Sequence, residues 1–195
     1  MKKTLFSAVL AATFGLVAFS NAAAASDGQI TFTGEIIDGT CVVTGGTGTD
    51  GAAKNITVKL DKIQASALAT AEQTAGDHPF SLVVSGGASG TCADGSKVSL
   101  HFDGTAATTL GASLVNSTTG RLKNLSGTGQ ATNVEVGVLD SAGAKVNMWT
   151  NAGSPIATVA SGSATLNYVA QYVATGGAAT PGLVNTAVMY SVQYN

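Results

Sequence analysis

Residues Gln29 to Ile37 read QITFTGEII, and residues Thr186 to Asn195 read TAVMYSVQYN. In the first stretch Ile30, Phe32, Gly34 and Ile36 fall on one face, with Thr31, Thr33 and Glu35 on the other. In the second, Val188, Tyr190, Val192 and Tyr194 share a face. A period of two with one apolar side marks a strand that buries one face. The closing strand runs almost to the last residue, so no tail is expected to cover it. An apolar strand at an open sheet edge is a template for pairing with another chain. A strand to give at one end and a strand lacking a neighbour at the other imply head-to-tail association.

Between these two stretches the same period recurs. Ile56, Val58 and Leu60 alternate with Thr57 and Lys59, and Phe80, Leu82 and Val84 form another set. Val98, Leu100 and Phe102 alternate with Ser99, His101 and Asp103, and Val134, Val136 and Val138 with Glu135 and Gly137. Leu166, Tyr168, Ala170 and Tyr172 make a longer strand. Clusters such as GGTGTDG, SGGASG, SGTGQ and DSAGA separate them. Many short strands with turn clusters between them predict an antiparallel sandwich. Only Ile63 to Leu68 suggests a helical turn.

The chain opens as an export signal does. Lys2 and Lys3 precede an apolar run from Leu5 to Phe19, followed by Ser20, Asn21 and a row of alanines. A membrane anchor would need about 20 apolar residues. Small residues following a shorter run instead predict a signal peptide over residues 1–25, cut after one of Ala22 to Ala25. The remaining chain, about 170 residues, suits one domain with a full core. Of 9 basic residues two lie in this leader, leaving seven against 11 acids, a net charge of −4. Charges are sparse and scattered, with no basic patch for phosphates, so nucleic acid is not an expected partner.

Cys41 and Cys92 are the only cysteines, so a single pairing is possible. Neither has a histidine close in sequence, and a secreted chain meets an oxidising compartment, which favours a structural disulfide over a metal or reactive thiol site. Other local patterns fail on context. GTGTDG (Gly46 to Gly51) matches the dinucleotide fingerprint, but a strand rather than a helix follows it, so a hairpin loop is expected. His101 sits on the polar face of its strand, and His78, before Pro79, is expected to be a solvated turn residue. The aspartates lack calcium-loop spacing, and no serine sits in a strand–turn–helix setting of the kind hydrolases use. No catalytic, cofactor or metal site is expected, and neither is enzymatic activity.

Several stretches together carry a family resemblance: ITFTGEIIDGTC (Ile30 to Cys41), ITVKLDKIQASAL (Ile56 to Leu68), the segment around Cys92, ATNVEVGVLDSAG (Ala131 to Gly143), and the close from Ala164 to Asn195. In order and spacing the chain resembles the major structural subunits of type 1-like chaperone–usher fimbriae. The resemblance implies an incomplete immunoglobulin-like antiparallel β-sandwich that lacks its last strand and is completed in trans by a donor strand. It implies residues 26–37 as the donor extension and 38–195 as the pilin domain. Ile30, Phe32 and Ile36 would enter groove pockets, and Gly34 would face a pocket too shallow for a side chain. Val188, Tyr190, Val192 and Tyr194 would form the acceptor strand, which faces a periplasmic chaperone first and a neighbouring subunit later. The implied partners are identical or related subunits, that chaperone and an outer-membrane usher. The implied role is a fimbrial shaft subunit that polymerises by donor-strand exchange at the cell surface and supports adhesion. The alternative is a minor, adaptor or adhesive subunit of the same system.

Overall fold

The computed structural model describes residues 41–86 and 92–195. Their regular structure is almost entirely strand: β1 (Val42–Gly45), β2 (Thr74–Ser85), β3 (Lys97–Asp103), β4 (Leu122–Lys123), β5 (Val134–Asp140), β6 (Lys145–Val146), β7 (Ala157–Thr158), β8 (Ser163–Ala174) and β9 (Met189–Tyr194). A single 3-10 turn, Ala65–Leu68, lies within the stretch expected to be helical. Among the described residues no helix is long and apolar enough to cross a membrane.

The strands form two sheets of unequal size. The large sheet runs β1-β2-β8-β5-β4, with β6 also on β5; the small one runs β7-β3-β9. Every pairing between named strands is antiparallel. This is an open, incomplete antiparallel β-sandwich. The large sheet is built around β8, twelve residues long, which pairs with β2 on one side and β5 on the other.

The core lies between the sheets. Leu82 and Val84 of β2, Leu166 and Tyr168 of β8, and Val136 and Val138 of β5 face Val98, Leu100 and Phe102 of β3 within one buried cluster. Tyr168, Leu100, Leu166, Val84 and Val98 are each less than 2% exposed. The Tyr168 ring stacks on Phe80 at 5.3 Å and meets Phe102 edge-on at 6.3 Å. Such aromatic pairs add to the stabilisation from burial itself. Burial raises the pKa of the Tyr168 hydroxyl far above the usual tyrosine value, and the nearby Ser154 side chain opposes that rise. Cys41, at the start of β1, is bonded to Cys92, ahead of β3, with Cα atoms 4.9 Å apart across a separation of 51 residues. The bond therefore ties the edge of the large sheet to the approach of the small one.

Several sequence expectations are corrected here. Ile56, Val58 and Leu60 do not form a strand: the segment is extended, with these three side chains half-buried and Thr57 and Lys59 exposed, but it joins no ladder. The cause lies in Thr57, whose N–H donates to Asp50 Oδ1 at 3.1 Å and whose carbonyl accepts from the Asp50 N–H at 3.0 Å. Both its backbone groups are taken by a loop instead of a strand. The Gly46 to Gly51 loop does double back as expected, but its returning limb meets β1 only through the bridge between Thr44 and Ala53. His78 is not a solvated turn residue. It lies within β2 beside a bulge, its Nε2 is 3.0 Å from the Gly48 carbonyl, and its side chain is 19% exposed.

Two residues on faces read as polar are buried as well. Glu135 is 5% exposed because the 113–121 loop folds over it, and its carboxylate accepts from Asn116 Nδ2 at 2.5 Å and Thr119 Oγ1 at 3.1 Å. Ser99 is 4% exposed, and its Oγ accepts from Asn195 Nδ2 at 2.9 Å. A buried polar group needs such partners to offset its desolvation. The stretch Gln29 to Ile37, with Ile30, Phe32, Gly34 and Ile36, lies outside the described residues.

Candidate functional site at the edge of the small sheet

β9 has one partner. Its register on β3 pairs Tyr194 with Val98, Val192 with Leu100 and Tyr190 with Phe102. One residue further on, the Asn195 N–H donates to the Lys97 carbonyl at 2.8 Å. In an antiparallel ladder bonded and non-bonded pairs alternate. The bonded pairs therefore include the odd-numbered residues Asn195, Gln193, Ser191 and Met189. Tyr190, Val192 and Tyr194 consequently turn their N–H and C=O groups the other way. Among the described residues, none of those groups has a partner.

The same three residues direct their side chains inward. Tyr190, Val192 and Tyr194 are half-buried, while Met189, Ser191 and Gln193 are exposed. They pack on the core together with Val184 and Val188, which precede the strand, and with Ile56, Leu60, Phe80 and Tyr172. Val188 shares their side of the chain but lies just before β9. The two tyrosine hydroxyls bond to residues far earlier in the sequence. Tyr190 donates to the Lys54 carbonyl at 2.7 Å, and Tyr194 accepts from the Cys41 N–H at 3.3 Å. Partial burial raises the Tyr190 pKa above the usual tyrosine value.

Lys54 lies just ahead of the Ile56–Leu60 segment, which repeats the pattern of β9. Its backbone groups at Ile56, Val58 and Leu60 have no partner among the described residues, and its apolar side chains are half-buried. It is held in place by the Asp50 carboxylate, whose pKa is lowered chiefly by the Thr57 N–H and then by that of Ala52. Among the described residues the domain therefore carries two runs, 56–60 and 190–194, whose alternate backbone groups lack partners and whose apolar side chains are half-buried.

The chemistry of this site is that of a sheet edge. It offers main-chain donors and acceptors at strand spacing, with apolar contacts at alternate residues, and it fits an added strand. Among the described residues no group of His, Cys, Asp or Glu is placed to hold a metal ion. Of the acceptor residues picked out in the sequence, all four lie together. The contribution of Ile56 and Leu60 was hidden, because their alternation reads as an ordinary paired strand.

Comparison with known proteins gives this edge a family setting. The family model described as fimbrial protein matches residues 30–195. The chain is 36% identical over 181 residues to the F17 fimbrial protein of Escherichia coli, covering 91% of this chain and 92% of that one. It is 36% identical over 193 residues to the major fimbrial subunit SMF-1 of Stenotrophomonas maltophilia, covering 92% and 99%. The fold is similar to that in the solved structure of a chaperone–usher pilus, with a TM-score of 0.53 at 19% identity, covering 87% of this chain and 96% of that one. A family match over nearly the whole chain and full-length relatives above 30% identity lead to one conclusion: the chain belongs to the fimbrial protein family.

Proposed function

We propose that this subunit polymerises by giving its own extension, residues 26–37, to the β9 edge of the next copy. The chain is a structural subunit of an extracellular fimbria, forms its shaft and supports surface adhesion, and it belongs to a chaperone–usher system. It is not an enzyme. In the proposed exchange Ile30, Phe32 and Ile36 of one subunit cover the half-buried row on the neighbour, and Gly34 allows close approach of the two backbones. A periplasmic chaperone holds the same edge, at Val188, Tyr190, Val192 and Tyr194, until an outer-membrane usher presents the next subunit. Residues 1–25 direct export to the periplasm and are removed within Ala22 to Ala25. The single observation that carries this reading is the second edge of β9, which has no partner among the described residues and whose inward side chains stay half-buried.

Magnitudes support exchange as the route to stability. Burying Ile30, Phe32 and Ile36 contributes about 1.5–3 kcal/mol each, or roughly 5–9 kcal/mol together. A whole domain is stable by only about 5–15 kcal/mol. The donated strand is therefore comparable with the net stability of the fold it completes. The test moves the donor in cis: Asp27 to Ile37 is deleted from its place and appended after Asn195 through a flexible linker. That protein is expected to be monomeric, far more resistant to denaturant than the subunit lacking the extension, and unable to polymerise. Equal stability and a monomeric state for the subunit simply lacking the extension would remove the need for a donor.

A further inference from the structure

The small sheet has a second edge, along β3, and it is closed by side chains. Since the odd-numbered residues of β3 bond to β9, Val98, Leu100 and Phe102 direct their backbone groups to the opposite side. β7 is two residues long and reaches only Lys97 and Val98. It leaves Leu100 and Phe102 as a free edge.

Two side chains occupy that edge. The carboxamide of Asn151 takes both backbone groups of Phe102: the Phe102 N–H donates to Oδ1 at 2.6 Å, and Nδ2 donates to the Phe102 carbonyl at 3.0 Å. Ser154 Oγ donates to the Leu100 carbonyl at 2.8 Å. A carboxamide offers one donor side and one acceptor side, as a peptide group does. It can therefore stand where a ladder residue would, but no strand continues from it. The loop that carries both residues bonds to itself: the Asn151 N–H donates to the Asn147 carbonyl at 2.7 Å and the Asn147 N–H to the Ala152 carbonyl at 2.9 Å. Asn151 holds φ 62 to make this turn, a conformation that asparagine and glycine tolerate better than most residues.

We infer that Asn151 and Ser154 fasten the 147–155 loop along the β3 edge and so restrict strand addition on this sheet to β9. The excluded occupant is the one that β9 takes, the segment Asp27 to Ile37 of a second copy. The inference rests on the proposed acceptor role of β9. Covering an edge with a loop is a recognised defence against unwanted pairing. Here the cover extends over the two β3 residues that β7 leaves bare. The consequence is a single acceptor edge on the small sheet, which favours a linear polymer.

The test uses assembled fibres of the full chain and a synthetic peptide of residues 27–37. Glycine keeps the Asn151 turn while removing its amide, so Asn151→Gly with Ser154→Ala opens the edge at little backbone cost. Wild-type fibres are expected to bind no peptide. Variant fibres are expected to bind it stoichiometrically. Amide exchange at Phe102 should speed up in the variant and slow again by about tenfold or more on peptide addition, a recovery that a merely structural role would not produce. Variant fibres that bind no peptide, or that bind it without protecting Phe102, overturn the inference. Peptide uptake by wild-type fibres with protection at Tyr190 and Val192 would instead defeat the acceptor role of β9. If the double variant does not assemble, Asn151→Gly alone carries the same test, since it frees both backbone groups of Phe102 and leaves Ser154 in place. The same exchange criterion decides it.

Discussion

β8 and β9 carry the same alternation of apolar and polar residues and end in very different surroundings. β8 lies between β2 and β5, and its Leu166 and Tyr168 are each 1% exposed. β9 has β3 on one side and no described neighbour on the other, and Tyr190, Val192 and Tyr194 stay half-buried. The side chains are of similar kind, so composition does not explain the difference. Strand neighbours do: each flanking strand covers the flank of an inward side chain, and β9 has half the cover. An apolar row left in that state suits the added strand proposed above.

The comparison can be broken most completely at the donor. Gly34→Leu is expected to abolish fibres on the cell surface, since a leucine cannot follow the backbone into close contact at the shallow position. Chaperone binding, proposed to use the β9 end, should survive. Electron microscopy together with co-purification of chaperone and subunit checks both, and normal fibres would show that Gly34 is not in the groove.

A smaller effect is expected at the link between the two sheets. Cys92→Ser removes the bond across a separation of 51 residues, which the chain-entropy model values at about 4 kcal/mol. Subunit levels in the periplasm and the denaturant midpoint should both fall. An unchanged midpoint would mean that the sheets hold their relation without the bond.

The third effect measures the two strands against each other. Leu166→Ala in β8 is expected to cost about 2–5 kcal/mol. Val192→Ala in β9 should cost about 1 kcal/mol in the free subunit, where part of the side chain already meets water. In the fibre the Val192 penalty should rise towards that of a buried valine, while the Leu166 penalty should not change. Denaturant titration of free and assembled forms reads both. Equal Val192 penalties in the two states would mean that nothing covers β9 on assembly.

Much of the fold is legible because alternation survives wherever a strand has one buried face. β2, β3, β5, β8 and β9 all stand where their apolar period placed them. The failures share a physical reason. Alternation reports which side of an extended chain is apolar and says nothing about whether its backbone finds a partner. Ile56 to Leu60 has the period of a strand, yet Thr57 is bonded to the Asp50 loop, and no ladder forms. The two-residue strands β4, β6 and β7 are too short to carry a period at all. Glu135 and Ser99 alternate with apolar neighbours, yet distant loop and terminal residues fold over them.

The sequence alone determined the long strands β2, β3, β5, β8 and β9, the apolar alternation of Gln29 to Ile37, and the one possible cysteine pairing, because these depend on local period and on counting. Only the tertiary structure decided which edges of the sandwich are open. β9 lies beside β3, about ninety residues away in sequence, and the β3 edge is sealed by Asn151 and Ser154 from a loop about fifty residues further along, with register pairs Val98–Tyr194 and Phe102–Tyr190 setting which backbone groups point outward. Edge exposure is a property of how distant segments pair, and the hydrogen bonds that decide it leave no period in the chain.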